Sequence, residues 1–92
     1  MPINIYEDTD NYKSIDYLCE GIWELPGQVY ALEEWLKSKG RLLPKGSYVA
    51  DIGFDIRKGA SGGGAALTPE MMKIMGEIGM HLFLSEYPDT IE

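Results

Sequence analysis

The sequence is poor in the side chains that most enzymes and metal proteins use. It has one cysteine, Cys19, and one histidine, His81. A lone thiol cannot form an internal disulfide and is usually a small buried apolar residue, so an oxidising compartment is not indicated. No apolar run approaches the roughly 20 residues of a membrane helix. The opening MPINIYEDTDNY has neither the basic nor the apolar region of a secretory signal. We therefore expect a cytoplasmic protein that contacts no membrane.

Basic residues are also scarce. Eight lysines and arginines stand against 15 aspartates and glutamates, which gives a net charge of −7. Nucleic-acid-binding proteins usually need a basic face, so direct binding to nucleic acid is not expected. The acids are concentrated in residues 1–26 and 59–92, whereas residues 27–58 are mildly basic. Such a chain is suited to a protein partner that presents a basic surface.

What the sequence does contain is one domain, 1–92, of alternating and helical patterns. Alternation predicts strands and a 3.6-residue period predicts helices. The order is (β)-β-α-β-α-β, with expected strands at 2–6, 17–25, 47–57 and 80–87 and helices at 28–38 and 69–78. This order predicts an α+β fold, a small two-layer sandwich whose three- or four-stranded sheet carries both helices on one face.

Several details of this fold can be predicted as well. Residues 1–16 are expected to form a short edge strand and an acidic loop, and residues 89–92 a frayed tail. Strand 17–25 is expected to turn its odd-numbered side chains to the core. Strand 80–87 is apolar on both faces, which favours a central position in the sheet. Gly40 and Gly79 are expected to cap the ends of the two helices.

Two stretches, GIWELPG…ALEEWL and AALTPEMMKIMGEIGMHLFLSEYP, carry a family resemblance. The first resembles the Trp-bearing strand and following helix of domain-of-unknown-function family 4279. The second also resembles that family, since a small-residue loop leads through Thr-Pro-Glu into an apolar helix and a last strand. The resemblance covers roughly residues 20–88, with most of the family's N-terminal part missing. It implies an α+β sandwich, and it implies no reaction, cofactor or catalytic residue.

The glycine-rich loop Gly59–Gly64 is a candidate phosphate-binding loop, because such a loop before a helix can hold phosphate on backbone amides. A P-loop needs a Lys-Ser or Lys-Thr pair after the last glycine, and a dinucleotide fingerprint needs G-x-G-x-x-G. Neither pattern is present. The loop is therefore interpreted as a mobile connection between a strand and a helix.

The other candidates for chemistry are isolated. Asp51 and Asp55 are expected on one face of a strand, where paired carboxylates sometimes act in acid–base or metal chemistry. His81 has no nucleophile elbow nearby, and Ser85 lies about 13 Å along the same strand. We expect no catalytic residue, no metal site, no cofactor and no enzyme. Trp23 and Trp35 are expected core anchors, and either would be a candidate interaction hot spot if exposed.

The sequence favours a non-enzymatic, acidic protein-binding module that docks on a basic partner surface. An inhibitor is the favoured kind, either an immunity protein or a phage anti-defence protein of the anti-CRISPR type. The candidate partner-binding residues are Glu7, Asp8, Asp10, Asp16, Glu20, Glu24, Asp51 and Asp55.

Two alternatives stay open. One is a small-ligand-binding or enzymatic domain that uses loop 59–64 and the Asp51/Asp55 face. The other is a homodimer, in which an exposed edge strand, 2–6 or 17–25, pairs with its copy.

Overall fold

A computed structural model describes residues 2–10, 12–56 and 61–87. Two strands, β1 (Ile3–Glu7) and β2 (Lys13–Leu18), precede helix α1 (Leu25–Ser38). A short 3-10 helix at Gly40–Leu42 leads to strand β3 (Tyr48–Asp55), which is followed by helix α2 (Pro69–Ile78) and strand β4 (Met80–Tyr87). The predicted order of strands and helices is confirmed. The loop residues Gly59 and Ala60 and the tail 89–92 lie outside the described residues.

The four strands form one mixed sheet in the order β2-β1-β3-β4. β1 pairs antiparallel with β2 and with β3, and β3 pairs parallel with β4. The pairing of β1 with β2 contains a bulge after Ile5. Because β3 and β4 are parallel, their carboxyl ends meet at one edge of the molecule.

Both helices cover the same face of the sheet. Each helix buries one stripe of side chains in the core. The stripe of α1 is Val29, Leu32, Trp35 and Leu36, and the stripe of α2 is Met71, Ile74, Met75 and Ile78. The sheet supplies alternate residues of β1 and β3, which are Ile3, Ile5, Tyr48, Ala50 and Ile52, and the first residue of β4, Met80. The other face of the sheet, called the uncovered face, carries neither helix, although Val49 on it is buried.

Helix α2 has both predicted end signals. The Thr68 hydroxyl accepts a hydrogen bond from the Met71 N–H at 3.2 Å, and Pro69 occupies the first turn. Gly79 ends the helix in the left-handed region, with φ of 87°. A side chain at Gly79 would also collide with the Gly46 carbonyl, so close packing and backbone conformation both require glycine there.

The predicted strand at 17–25 is wrong in both position and length. β2 ends at Leu18, and the next residues form a turn in which the Cys19 carbonyl accepts the Ile22 N–H at 2.9 Å. Cys19 and Gly21 have positive φ values of 60° and 87°, which no strand contains. Helix α1 then starts at Leu25, because Pro26 fits a first helical turn as well as it ends a strand.

Three further expectations are corrected. β1 is an interior strand, since it pairs on both sides, and β4 is an edge strand although both its faces are apolar. Gly40 does not cap α1 in the left-handed conformation. It opens the 3-10 helix, and a Cβ there would lie 2.7 Å from the Trp35 ring and 2.9 Å from Leu36. Gly40 is therefore needed because the chain passes close to Trp35.

Candidate functional site

The structure divides the eight predicted partner-binding residues among four places. Glu7 pairs with Tyr48 at the amino end of β3, and Asp8 and Asp10 follow it. Glu20, Glu24 and Asp55 lie at the opposite end, about 23 Å away along seven residues of strand. Asp16 accepts a hydrogen bond from the Trp35 indole N–H at 2.9 Å, beneath the sheet. Asp51 lies on the uncovered face. They do not form one patch.

A cavity of about 440 Å³ opens at the carboxyl ends of β3 and β4. Its apolar wall includes Trp23, Leu25 and Phe54, and its polar lining contains three carboxylates, Glu24, Asp55 and Glu86. Glycines 62–64 close another side. In open sheets with parallel strands, ligands bind outside the carboxyl ends of the strands, so the cavity lies where the topology favours a binding site.

No cation among the described residues pairs with the carboxylates of this cavity. Within the described ranges, Glu24, Asp55 and Glu86 have no salt bridge, and no lysine, arginine or histidine lines the cavity. Both ion pairs of those ranges involve Lys37, which contacts Glu33 at 3.3 Å and Glu70 at 3.5 Å on the helical layer. Arg57 and Lys58 lie outside the described residues. The cavity therefore has negative charges and an aromatic wall.

Trp23 separates this cavity from a second one. The second cavity is also about 440 Å³ in volume and is lined by Trp23, Tyr17, Leu18 and Glu20, among others. The Trp23 ring packs edge-on against Tyr87, with ring centroids 5.8 Å apart and an interplanar angle of 89°. Trp23 is half-buried, whereas Trp35 is buried as predicted. The half-buried ring is thus the tryptophan that a partner can contact.

Gln28 fixes the backbone beside the cavity. Its side chain is 0 % exposed, and its amide nitrogen donates to the Ile22 carbonyl at 2.8 Å and to the Gly53 carbonyl at 2.7 Å. The Asp55 N–H donates to the Trp23 carbonyl at 3.1 Å. These bonds join the segment before α1 to the end of β3 and so position Trp23 against Asp55. No sequence pattern indicates this role of Gln28, because a glutamine at the start of a helix is usually exposed.

The uncovered sheet face holds a second polar group. The Ser85 hydroxyl donates to the Asp51 carboxylate at 2.7 Å, and Asn4 donates to the Tyr12 hydroxyl at 3.2 Å. Partial burial raises the pKa of Tyr6, and the carboxylates of Asp51 and Asp8 raise it further. Asp51 and Asp55 are therefore in different surroundings, since Asp51 is hydrogen-bonded on this face and Asp55 lines the cavity.

The remaining candidates for chemistry are the acidic residues, Cys19 and His81. In the described part of the chain, no three histidine, cysteine, aspartate or glutamate side chains lie close enough together to hold a metal ion. The thiol of Cys19 is half-buried, and this burial raises its pKa, which keeps the thiol protonated and weakly nucleophilic. His81 is exposed on the edge strand opposite Val49.

No protein-family model matches the sequence, and neither a curated protein nor a solved structure matches it. The resemblance to domain-of-unknown-function family 4279 stays a prediction.

Among residues 2–10, 12–56 and 61–87, no helix has the length and apolar character needed to cross a membrane.

Proposed function

We propose that the protein is a non-enzymatic binding module that docks on a basic protein through its acidic end. This acidic end consists of Trp23, Glu24, Asp55 and Glu86 around the cavity, together with Glu20 of the neighbouring one. The observation that carries the proposal is that carboxylates without a salt bridge line the same cavities as the aromatic ring of Trp23, with no cation among the described lining residues.

The chemistry of this end fits a lysine or arginine side chain. Exposed carboxylates on one side of a cleft attract a cation and speed its association. The Trp23 ring offers a surface over which a guanidinium or ammonium group can stack, and aromatic residues beside a desolvated pocket are frequent hot spots in interfaces. Phosphate is disfavoured, because it would meet three carboxylates in the same cavity.

The finer proposal is that the module is an inhibitor. Proteins that handle nucleic acid have basic grooves, and a rigid array of carboxylates can occupy such a groove by imitating phosphate charges. Immunity proteins and phage anti-defence proteins of the anti-CRISPR type are the favoured kinds, and a cytoplasmic location agrees with either.

The test compares the two acidic groups of the molecule. The first variant combines Glu24→Gln, Asp55→Asn and Glu86→Gln, and the control combines Glu7→Gln, Asp8→Asn and Asp10→Asn. Each variant removes three negative charges, so nonspecific electrostatic attraction falls equally in both. Wild type and both variants are immobilised, and proteins from the native host are captured and quantified by mass spectrometry.

We expect at least one basic protein to bind wild type and the control and to be lost, by about tenfold or more, with the acidic-end variant. A loss of three charges at the interface typically affects affinity by more than the 1.4 kcal/mol that corresponds to tenfold. Equal retention by both variants would contradict the proposal. So would a partner that is lost only with the control.

The second candidate, a small-ligand-binding or enzymatic domain, has one observation in its favour. Gly62–Gly64 and Asp55 line the same cavity, as that alternative requires, although Asp51 does not. A thermal-shift screen with nucleotides, divalent metals and sugar phosphates tests it. A rise in melting temperature that depends on ligand concentration, and that Asp55→Asn abolishes, would favour this candidate over a protein-binding module.

A further inference from the structure

The two edges of the sheet differ in their protection against pairing with another chain. β2, at one edge, contains a bulge in its pairing with β1 and begins with Lys13, and both features discourage the addition of a further strand. β4, at the other edge, runs for eight residues, Met80–Tyr87, with neither proline nor lysine nor a bulge in its pairing. Long, apolar, unprotected edges are rare in proteins that remain monomeric.

The backbone of β4 has hydrogen-bonding groups directed away from the sheet. Tyr48 donates to the Gly79 carbonyl at 3.0 Å, and Ile56 donates to the Tyr87 carbonyl at 3.4 Å. Since alternate residues of a strand direct their N–H and C=O groups to opposite sides, the odd-numbered residues of β4 bond β3. The even-numbered residues Leu82, Leu84 and Glu86 therefore direct their backbone groups outward.

Large apolar side chains lie along the same edge. Phe83 is 49 % exposed on the uncovered face of the sheet, and Leu84 is 57 % exposed on the helical face. A strand added beside β4 would cover both, one on each face. The stretch 78–85, IGMHLFLS, contains no acidic or strongly basic residue, although the chain as a whole carries a net charge of −7.

We infer that β4 pairs antiparallel with β4 of a second copy, so that two four-stranded sheets join into one of eight strands. A two-fold axis perpendicular to the sheet keeps each face of one copy continuous with the same face of the other. When the axis passes beside Phe83, Phe83 of one copy lies opposite Phe83 of the other, and Leu82 of each copy lies opposite Leu84 of the other. Aromatic and aliphatic cross-strand pairs of this kind stabilise sheets.

Charge favours a second copy over a basic partner at this edge. Two molecules that are both strongly acidic can approach only through a surface without carboxylates, and 78–85 is such a surface. In the Phe83-centred register Glu86 lies opposite Met80, so no two like charges face each other. A basic partner would gain nothing from this stretch and is instead attracted to the acidic end.

The oligomeric state is measured by sedimentation velocity over a concentration range of about 1 to 300 µM, which covers the dissociation constants of weak and moderate dimers. We expect a dimer that dissociates on dilution. Leu84→Lys places a charge at the interface and should weaken dimerisation by about tenfold or more. The matched control is Leu42→Lys, at a leucine that is 75 % exposed in the 3-10 helix, and it should leave dimerisation unchanged.

Amide hydrogen exchange of the unmodified protein locates the interface without any variant. The outward amides of Leu82, Leu84 and Glu86 should be protected at high concentration and exchange quickly at low concentration. The amides of His81, Phe83 and Ser85, which bond β3, should be protected at both.

Three results would overturn the inference. They are a monomer at the highest concentration, equal effects of Leu84→Lys and Leu42→Lys, or a dimer whose outward β4 amides stay unprotected. None of these measurements reports on binding at the acidic end, which the Glu24, Asp55 and Glu86 variant tests, and Glu86 is a residue that the two surfaces share.

Discussion

At the scale of single residues, Gln28 connects the fold to the candidate site. A fully buried glutamine is stabilising only if its polar atoms are paired, and its two donated bonds satisfy the carbonyls of Ile22 and Gly53. Its amide oxygen has no partner among the described residues, which partly offsets that gain. Gln28 therefore holds the cavity wall at some cost in polar burial.

Replacing Gln28 by leucine should lower the free energy of unfolding by about 2 kcal/mol, since the buried carbonyl of Gly53 and the part-buried carbonyl of Ile22 lose their donor. Urea denaturation followed by tryptophan fluorescence measures the change. Ser38→Ala, which removes hydrogen bonds on the exposed end of α1, serves as the control and should cost well under half as much. Equal stability of Gln28→Leu and wild type would show that these two bonds do not hold the wall.

Cys19 gives a prediction about pH. Its burial raises the pKa of the thiol, so at any given pH the folded protein contains less thiolate than a free cysteine does. The rate of reaction with a disulfide reagent should therefore be lower than that of a cysteine peptide, and its rise with pH should be displaced upward. Denatured protein should react like the peptide. If the dependence of the rate on pH were the same for the folded protein and for the peptide, the burial of the Cys19 thiol would be refuted.

At the scale of helices and strands, α2 offers two glycines in opposite situations. Gly76 lies within the helix, and a Cβ there meets nothing within 4 Å. Gly79 lies just after the helix with φ of 87°, where a Cβ would collide with the Gly46 carbonyl. The same substitution should therefore change stability in opposite directions.

Gly76→Ala should raise the free energy of unfolding by about 0.5 to 1 kcal/mol, because alanine loses less backbone entropy in a helix. Gly79→Ala should lower it by more than about 1 kcal/mol, through strain at positive φ and the collision. Thermal unfolding measured by circular dichroism compares the two variants. If both substitutions changed stability in the same direction, the left-handed conformation assigned to Gly79 would be wrong.

The elements that could be predicted from sequence are those with local signals. Thr68, Pro69 and Gly79 bound α2, and the alternation of 48–55 gives both the extent and the buried face of β3. The errors arose where a local pattern had two explanations. Alternation through 17–25 is also produced by a short strand followed by a turn at Cys19, and apolar residues on both faces of 80–87 fit an exposed edge as well as a central strand.

The candidate site was predictable only in part. Glu20, Glu24 and Asp55, which were predicted to bind a partner, lie at one end of the molecule, but their separation from Glu7 and Asp8 depends on the register of β1 against β3, which no local pattern determines. Glu86 carries no local signal of a site, because it is a single acid near the end of an otherwise apolar strand. The hydrogen bonds of Gln28, and the bond that Asp16 accepts from Trp35, join residues that are distant in sequence. A single sequence does not reveal such contacts.

At the scale of the whole molecule, an excess of negative charge opposes folding. Like charges repel in the compact state, and salt screens this repulsion over about 8 to 10 Å at physiological ionic strength. The unpaired carboxylates of the acidic end should contribute a large share of the effect, because no described cation lies among them.

The melting temperature should therefore rise by a few degrees between about 20 and 200 mM sodium chloride, a range over which the screening length shortens about threefold. The variant with Glu24→Gln, Asp55→Asn and Glu86→Gln should melt higher at low salt and respond less to added salt. Calorimetry at several salt concentrations measures both quantities. A wild-type melting temperature that falls with salt would indicate that ion pairs outweigh the repulsion.

The interior position of β1 has a consequence for how the chain acquires its structure. β1 and β2 can pair as soon as both exist, but the other side of β1 must wait for β3, which begins 41 residues after β1 ends. Until then one edge of β1 has unpaired backbone groups, whereas Ile3 and Ile5 can already pack against α1, which precedes β3 in the chain. Closing this long loop is slower than forming a hairpin. We therefore expect the arrival of β3 beside β1 to limit the rate of folding, and the hairpin with its unpaired edge to be the segment most prone to aggregation until then.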